Sequence, residues 1–204
     1  MDEMSDENHI PEIMASLREL NHYLVEAGVL LDVGNKGLEF LQMIATVNEF
    51  GADITPIHGA WLTIPTKLGL HHKASDFGNK LFKPKGKNVL AMDNNNGGLD
   101  IYFILVKHVH IPERSFLRDG VDDHMWSIFD SVEDDLNRIM NRELTPRELY
   151  EHIGLKLKGY IKDNIVLKVN PSNAPLTIAN KGKDDPLVDT GTMLRSISYR
   201  VIDT

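Results

Sequence analysis

The chain has no cysteine. Disulfides, thiolate nucleophiles and thiolate metal sites are therefore outside its chemistry, and a reducing compartment is the expected setting. It also lacks an uninterrupted apolar run near the roughly 20 residues of a membrane helix. Its acidic, polar beginning does not have the basic and then apolar pattern of a secretion signal, so no membrane partner is expected. Positive charge is scarce. Against 30 acidic side chains stand 22 lysines and arginines, for a net charge of -8, which excludes a generic nucleic-acid coat because neutralising phosphates takes concentrated positive charge. One local exception runs through Lys80, Lys83, Lys85 and Lys87, interspersed with Phe82, Pro84 and Gly86. It reads as a solvated loop or as a non-specific DNA contact. Lys181-Gly182-Lys183 has no glycine-rich loop before it and no Ser or Thr after it, so it is not a phosphate loop.

What is present suits a packed core. At 204 residues, 42% of them hydrophobic, the chain is long enough for one substantial domain or two small ones. Residues 1–10 read as a flexible segment and residues 11–204 as a single α+β domain. Ile13, Leu17, Leu20 and Leu24 recur at helical spacing and Gly28 ends the run, which predicts one amphipathic helix from Pro11. A short strand over 29–33, a turn at Gly34 to Gly37 and a helix near 38–49 follow. Trp61 to Thr66 reads as a strand stopped by Pro65. Residues 67–98 form a long irregular excursion holding a short strand at Asn88 to Ala91, of a length that often binds something. Asn94 to Gly98 turns into Leu99 to Val106, whose continuous apolar end marks a central strand buried on both faces or at an interface.

The second half is helical. After Ile111-Pro112 a helix launches with Glu113 in its first turn, and Leu117, Val121, Met125, Ile128, Val132, Leu136 and Ile139 line one stripe. Arg114 and Arg118 lie one turn apart on it, placed to pair with acids of another element or to bind an anion. Thr145-Pro146-Arg147-Glu148 is a capping box opening a second helix lined by Leu149, Ile153, Leu157, Tyr160, Ile161 and Ile165. Gly154 and Gly159 permit a close approach to it. The two helices, joined near Asn141, form an antiparallel pair. The chain closes on Asp189-Thr190-Gly191, with Asp189 capping the next turn through the N–H of Thr192 or Met193, and on a strand that turns Ile197, Tyr199 and Val201 to one side. The architecture expected is α+β: a mixed or antiparallel sheet packed by an N-terminal helix and a two-helix hairpin.

Catalytic patterns are thin. A lone Asp-Thr-Gly does not make an aspartic protease, which needs two carboxylates sharing a proton. Glu49 has no paired carboxylate at a diagnostic spacing and reads as a cap or loop anchor. His108 and His110 share a strand face and suit one metal ion, which leaves a metal-dependent hydrolase as the alternative function. Neighbouring His71 and His72 do not converge on them, and no His-Glu-x-x-His supplies the base.

Four pieces occur in order: Val47-Asn48-Glu49-Phe50-Gly51, Trp61-Leu62-Thr63-Ile64-Pro65-Thr66, Ile111-Pro112-Glu113-Arg114-Ser115-Phe116-Leu117-Arg118 and Pro186-Leu187-Val188-Asp189-Thr190-Gly191-Thr192-Met193-Leu194-Arg195-Ser196-Ile197. With them the chain, from about residue 29 onward, resembles the tail-completion and neck protein family of long-tailed bacteriophages and prophages, including the Mu-like virion morphogenesis group. Ser115 stands where the family commonly has proline, and Met193 is either inserted relative to the commoner spacing of the last block or occupies its variable position with Thr192. The resemblance implies a non-enzymatic virion component, without cofactors, that completes the tail or joins it to the DNA-filled head as a ring, hexameric in form. Its implied neighbours are neck, connector, tail-terminator or tail-tube proteins. Its implied place is the neck or head-proximal tail end of the virion, and the host cytoplasm during assembly. Glu49, Phe50, Gly51, Trp61, Arg114, Phe116, Arg118, Asp189, Thr190, Gly191 and Arg195 are then the structural or interface candidates.

Overall fold

A computed structural model describes residues 8–94, 96–168 and 170–204; the mobility expected of the beginning of the chain falls mainly on residues 1–7, outside that range. The chain divides into two compact units, where the sequence reads as one domain over 11–204. The first gathers residues up to Ala45, Ser115–Lys168 and Thr190–Thr204, and the second Thr46–Arg114 and Val169–Asp189. Helices and antiparallel sheets make this an α+β protein, as expected, with three separate small sheets in place of one. Among the described residues no helix is long and apolar enough to cross a membrane.

The first unit is built on a two-stranded ribbon. Strand β1 (Tyr23–Val29) pairs antiparallel with β7 (Ile197–Asp203), from Tyr23 opposite Asp203 to Val29 opposite Ile197. Helix α1 (Ile10–Glu19) therefore stops well before Gly28, and one short 3-10 turn, Leu20–His22, separates it from β1. Leu20 and Leu24 fit a helical period, but β7 offers a complete ladder to residues 23–29 and pairing overrides the period. The strand expected at 29–33 is displaced for the same reason: Leu30 and Leu31 donate their N–H groups to the Ser196 carbonyl instead. Helix α2 (Leu38–Phe50) lies where helical spacing puts it.

Helix α5 (Pro146–Leu167) packs on both strands of this ribbon. It opens with the expected capping box, the Glu148 N–H donating to Thr145 Oγ1 and the Thr145 N–H to Glu148 Oε2. Ile139, Leu144 and Leu149 are buried together where α4 (Met125–Met140) turns into α5. Ser127 meets Tyr160 and Asp135 meets His152, so the two helices run antiparallel as expected. The single helix expected from Glu113 is instead two, α3 (Leu117–Asp122) and α4, broken at His124. Gly120 brings α3 onto α5: a Cβ there would lie 3.2 Å from Ile161 Cα and from the Tyr160 carbonyl oxygen. The His124 ring donates to the Gly120 carbonyl and stacks on Tyr160 at 4.0 Å. Asp119, not Glu113, is the first-turn acid, and Lys168 pairs with it while donating to the Ser115 carbonyl.

The second unit holds one three-stranded sheet and one two-stranded pair, all antiparallel. Strand β5 (Leu99–Val106) is central as expected, between β3 (Leu62–Pro65) and β4 (Val89–Asp93). Phe103 and Leu105 are buried but Ile101 is exposed, so β5 covers a core with one face and does not bury both. The excursion 67–98 contains a kinked 3-10 segment, Ala74–Lys80, whose Phe77 packs edge-on against Tyr102 and Phe103. Strand β2 (Ala52–Ile54) pairs with β6 (Val109–Ile111), and α6 (Pro175–Lys181) ends on the left-handed Gly182. The last helix of the chain, α7 (Thr192–Ser196), belongs to the first unit and leads straight into β7.

Candidate functional site

Two of the four sequence blocks meet inside the second unit. The β2-β6 ladder carries residues 52–54 alongside 109–111, which brings the end of α2 against the chain leaving β6. There the Arg114 N–H donates to the Asn48 carbonyl at 2.7 Å. Gly51 turns at φ 71°, and a Cβ on it would lie 2.9 Å from both Glu113 N and the Ile111 carbonyl oxygen. Neither the turn nor the approach admits a side chain, which is the physical reason for glycine here. Glu49 in the same block is 2% exposed. Its side chain is taken out of solvent, while Phe50 beside it is exposed.

Arg114 is 5% exposed. It lies ahead of α3, so it is not one helical turn from Arg118 on a shared face. Its guanidinium donates through Nε to the Pro171 carbonyl at 2.8 Å and through Nη2 to the Ser172 carbonyl at 3.1 Å. The expected partner, a carboxylate on another element, is replaced by two backbone oxygens. Burial pushes the guanidinium down from its ordinary pKa and the charge of Asp184 opposes that shift. Arg114 thus clamps the 171–172 loop to the joint formed by 48–51 and 111–114. Phe116 is wholly buried in the first unit, while Arg118 is exposed on α3.

The closing block builds a different turn from the one expected. Helix α7 has Gly191 as its N-cap, left-handed at φ 73°, and no side chain caps it, so Asp189 does not have the capping role. The turn is held by Arg195, whose Nη1 donates to the Thr190 carbonyl at 3.1 Å, and by a 2.6 Å hydrogen bond between the Thr190 and Thr192 hydroxyls. Ser196, fully buried, donates its hydroxyl to the Met193 carbonyl and receives two N–H groups on its own carbonyl. It is the residue that fastens this block to the end of β1, and a serine ahead of an alternating strand was its only sign in the sequence.

The histidine pair finds a partner that sequence spacing did not reveal. Asp53 Oδ1 accepts from His110 Nδ1 at 2.8 Å and from His108 Nε2 at 2.9 Å, because Asp53 stands opposite His110 in the β2-β6 ladder. Both imidazoles converge on one oxygen, an arrangement for a hydrogen-bonded triad and not for three ligands around an ion. Among the described residues no group of three or more His, Asp or Glu is placed to hold a metal. The hydrogen bonds, that from His110 first, hold the Asp53 carboxyl below the usual carboxylate range. A depressed folded pKa contributes stability that is present above the unfolded value and is lost as pH falls through the folded one. Carboxyl NMR is expected to place the Asp53 midpoint below about 3.9, and to return it there when His108 and His110 are both replaced by alanine. An ordinary midpoint in the native chain contradicts this.

Trp61 is half-buried, with Lys83 Nζ 4.5 Å and Lys107 Nζ 5.5 Å from its ring centre. One further cluster lies in the first unit, in an open depression of about 500 Å³ lined by Ser131, Asp134, Asp135, Arg138, His152 and Lys156. Asp135, 7% exposed, binds His152 Nδ1 at 2.7 Å and Arg138 at 3.1 Å. The Ser131 hydroxyl is directed to the Ile128 carbonyl and not to His152, so no nucleophile is activated there. The carboxylate interrupting the apolar stripe of α4 was its sequence signal. Compared with protein-family models, curated proteins and solved structures, the chain matches none of them.

Proposed function

We propose that this chain is a structural virion protein that completes a phage tail or joins tail to head as part of a ring-shaped neck assembly. The observation that carries the reading is the joint at Arg114. Two blocks by which the sequence resembles tail-completion and neck proteins, 47–51 and 111–118, meet through backbone approaches at Gly51 and Asn48 and are locked by a buried guanidinium. Glycine and arginine in those blocks have architectural work here, which is what motif residues of a building part require. The closing block is likewise organised by Gly191 and Arg195 around a turn, with no convergent acid and base.

On this reading the partners are further copies of the chain and the adjacent neck, connector, tail-terminator or tail-tube proteins, and its place is the neck or head-proximal tail end. Loss of the gene from its phage or prophage tests it. Filled heads and separate tails are expected to accumulate unjoined, or tails to lack a finished end, and supplying the protein in trans restores joining. Normal yields of complete, infectious particles without the protein would overturn the proposal.

A further inference from the structure

Charge is unevenly distributed along this chain. Between Lys67 and Lys107 stand seven lysines against three acids, Asp76, Asp93 and Asp100, in a chain whose net charge is -8. None of the seven lysines forms an ion pair with a described residue, although in the first unit Arg138, Arg142, Arg147, Lys168 and Arg200 all pair with acids. Two of these lysines, Lys83 and Lys107, lie over the Trp61 ring, and Phe82, next to Lys83 in sequence, is exposed, so the lysine face around Trp61 carries apolar surface too.

The first unit presents the complement. On α4, positions 126, 129, 133, 137 and 140 recur at spacings of three and four and share one outward face. Trp126 is 80% exposed, Phe129 54% and Met140 44%, the two rings meeting edge-on at 6.0 Å. Asp130, Glu133 and Asp134 surround them, all exposed. An exposed tryptophan against a second aromatic is the usual anchor of a protein interface. The opposite face of the same helix already holds its core residues Ile128 and Ile139.

We infer that the aromatic, acidic face of α4 docks on the lysine face around Trp61 of a second copy of this chain. The occupant is named by charge complementarity: an apolar stripe rimmed with acids fits an apolar patch rimmed with unpaired lysines, and both are present in every copy. Because the two faces differ, the contact is heterologous and repeats head to tail, closing a ring or running on as a filament. This names the surface from which the proposed assembly is built, and for closure of the ring it rests on that proposed function.

The test uses the full chain, with light scattering after size exclusion and circular dichroism to verify folding. The native protein is expected to associate, and more weakly as salt rises. A first variant, Trp126→Ala with Phe129→Ala, weakens association about thirtyfold, the loss typical of a truncated aromatic anchor. A second, Lys83→Glu with Lys85→Glu and Lys107→Glu, abolishes it. Mixing the two restores one intact contact, so the mixture forms a one-to-one complex and nothing larger. Association unchanged in both variants, or a mixture that fails to pair, overturns the contact while leaving a ring built in another way. A native chain that is monomeric at every concentration removes the ring as well. If the lysine variant assembles normally but loses binding to a fluorescent DNA duplex, the face belongs to nucleic acid and the inference falls.

Discussion

Replacing Arg114 with alanine is expected to destabilise the protein by about 3 kcal/mol, since two charge-assisted hydrogen bonds to carbonyls are lost and a buried space is left behind. For a chain of this size that lowers the melting midpoint by roughly 6–12 °C. Nε and Nη2 meet the Pro171 and Ser172 carbonyls at 2.8 and 3.1 Å from a site that is 5% exposed. Lysine keeps the charge but has no planar fork to reach two oxygens in fixed directions, so Arg114→Lys should recover only a minor part of the loss. Calorimetry of the two variants checks this. A melt of Arg114→Ala within a degree or so of the native protein would show that the clamp contributes nothing.

Gly154→Ala reverses an ordinary rule. In an exposed helix the change stabilises by about 1 kcal/mol through helix propensity. Here a Cβ would sit 2.1 Å from Tyr199 Cδ2 and 2.7 Å from Cγ, atoms at the root of the ring that cannot swing away as a chain end does. The overlap drives β7 off α5, and a net destabilisation of about 2 kcal/mol is expected. Tyr199→Ala is costly in its own right but removes the obstacle, so the double variant should be more stable than the sum of the singles predicts by at least about 1 kcal/mol. Additive losses in denaturant titrations would contradict the close approach. Gly159, also read as allowing close approach, has open space at its Cβ and should tolerate alanine.

Local chemistry with its own signature was legible in the residues. The Thr145 capping box, the 38–50 helix, the Pro65 stop and the central position of Leu99–Val106 all follow from spacing and turn residues close in sequence. What failed depends on partners far along the chain. Tyr23–Val29 is a strand because residues 197–203, near the other end of the chain, pair with it. The close approach of Gly120 to the α5 backbone, four residues before the break at His124, is likewise something no periodicity records. Of the candidate residues, Gly51 and Arg114 were legible as motif letters, but the carbonyls that Arg114 binds lie in a proline-containing loop without regular structure. Asp53 was invisible because a three-residue strand leaves almost no pattern, and its meeting with His108 and His110 is set only by register.

The central claim, that the chain is a building part of the virion's neck or tail end, is tested most directly by imaging purified particles in which this protein is labelled. The label is expected at the head-to-tail junction or the head-proximal end of the tail, once per particle and in a ring. Complete particles carrying no label at the neck or tail would contradict it.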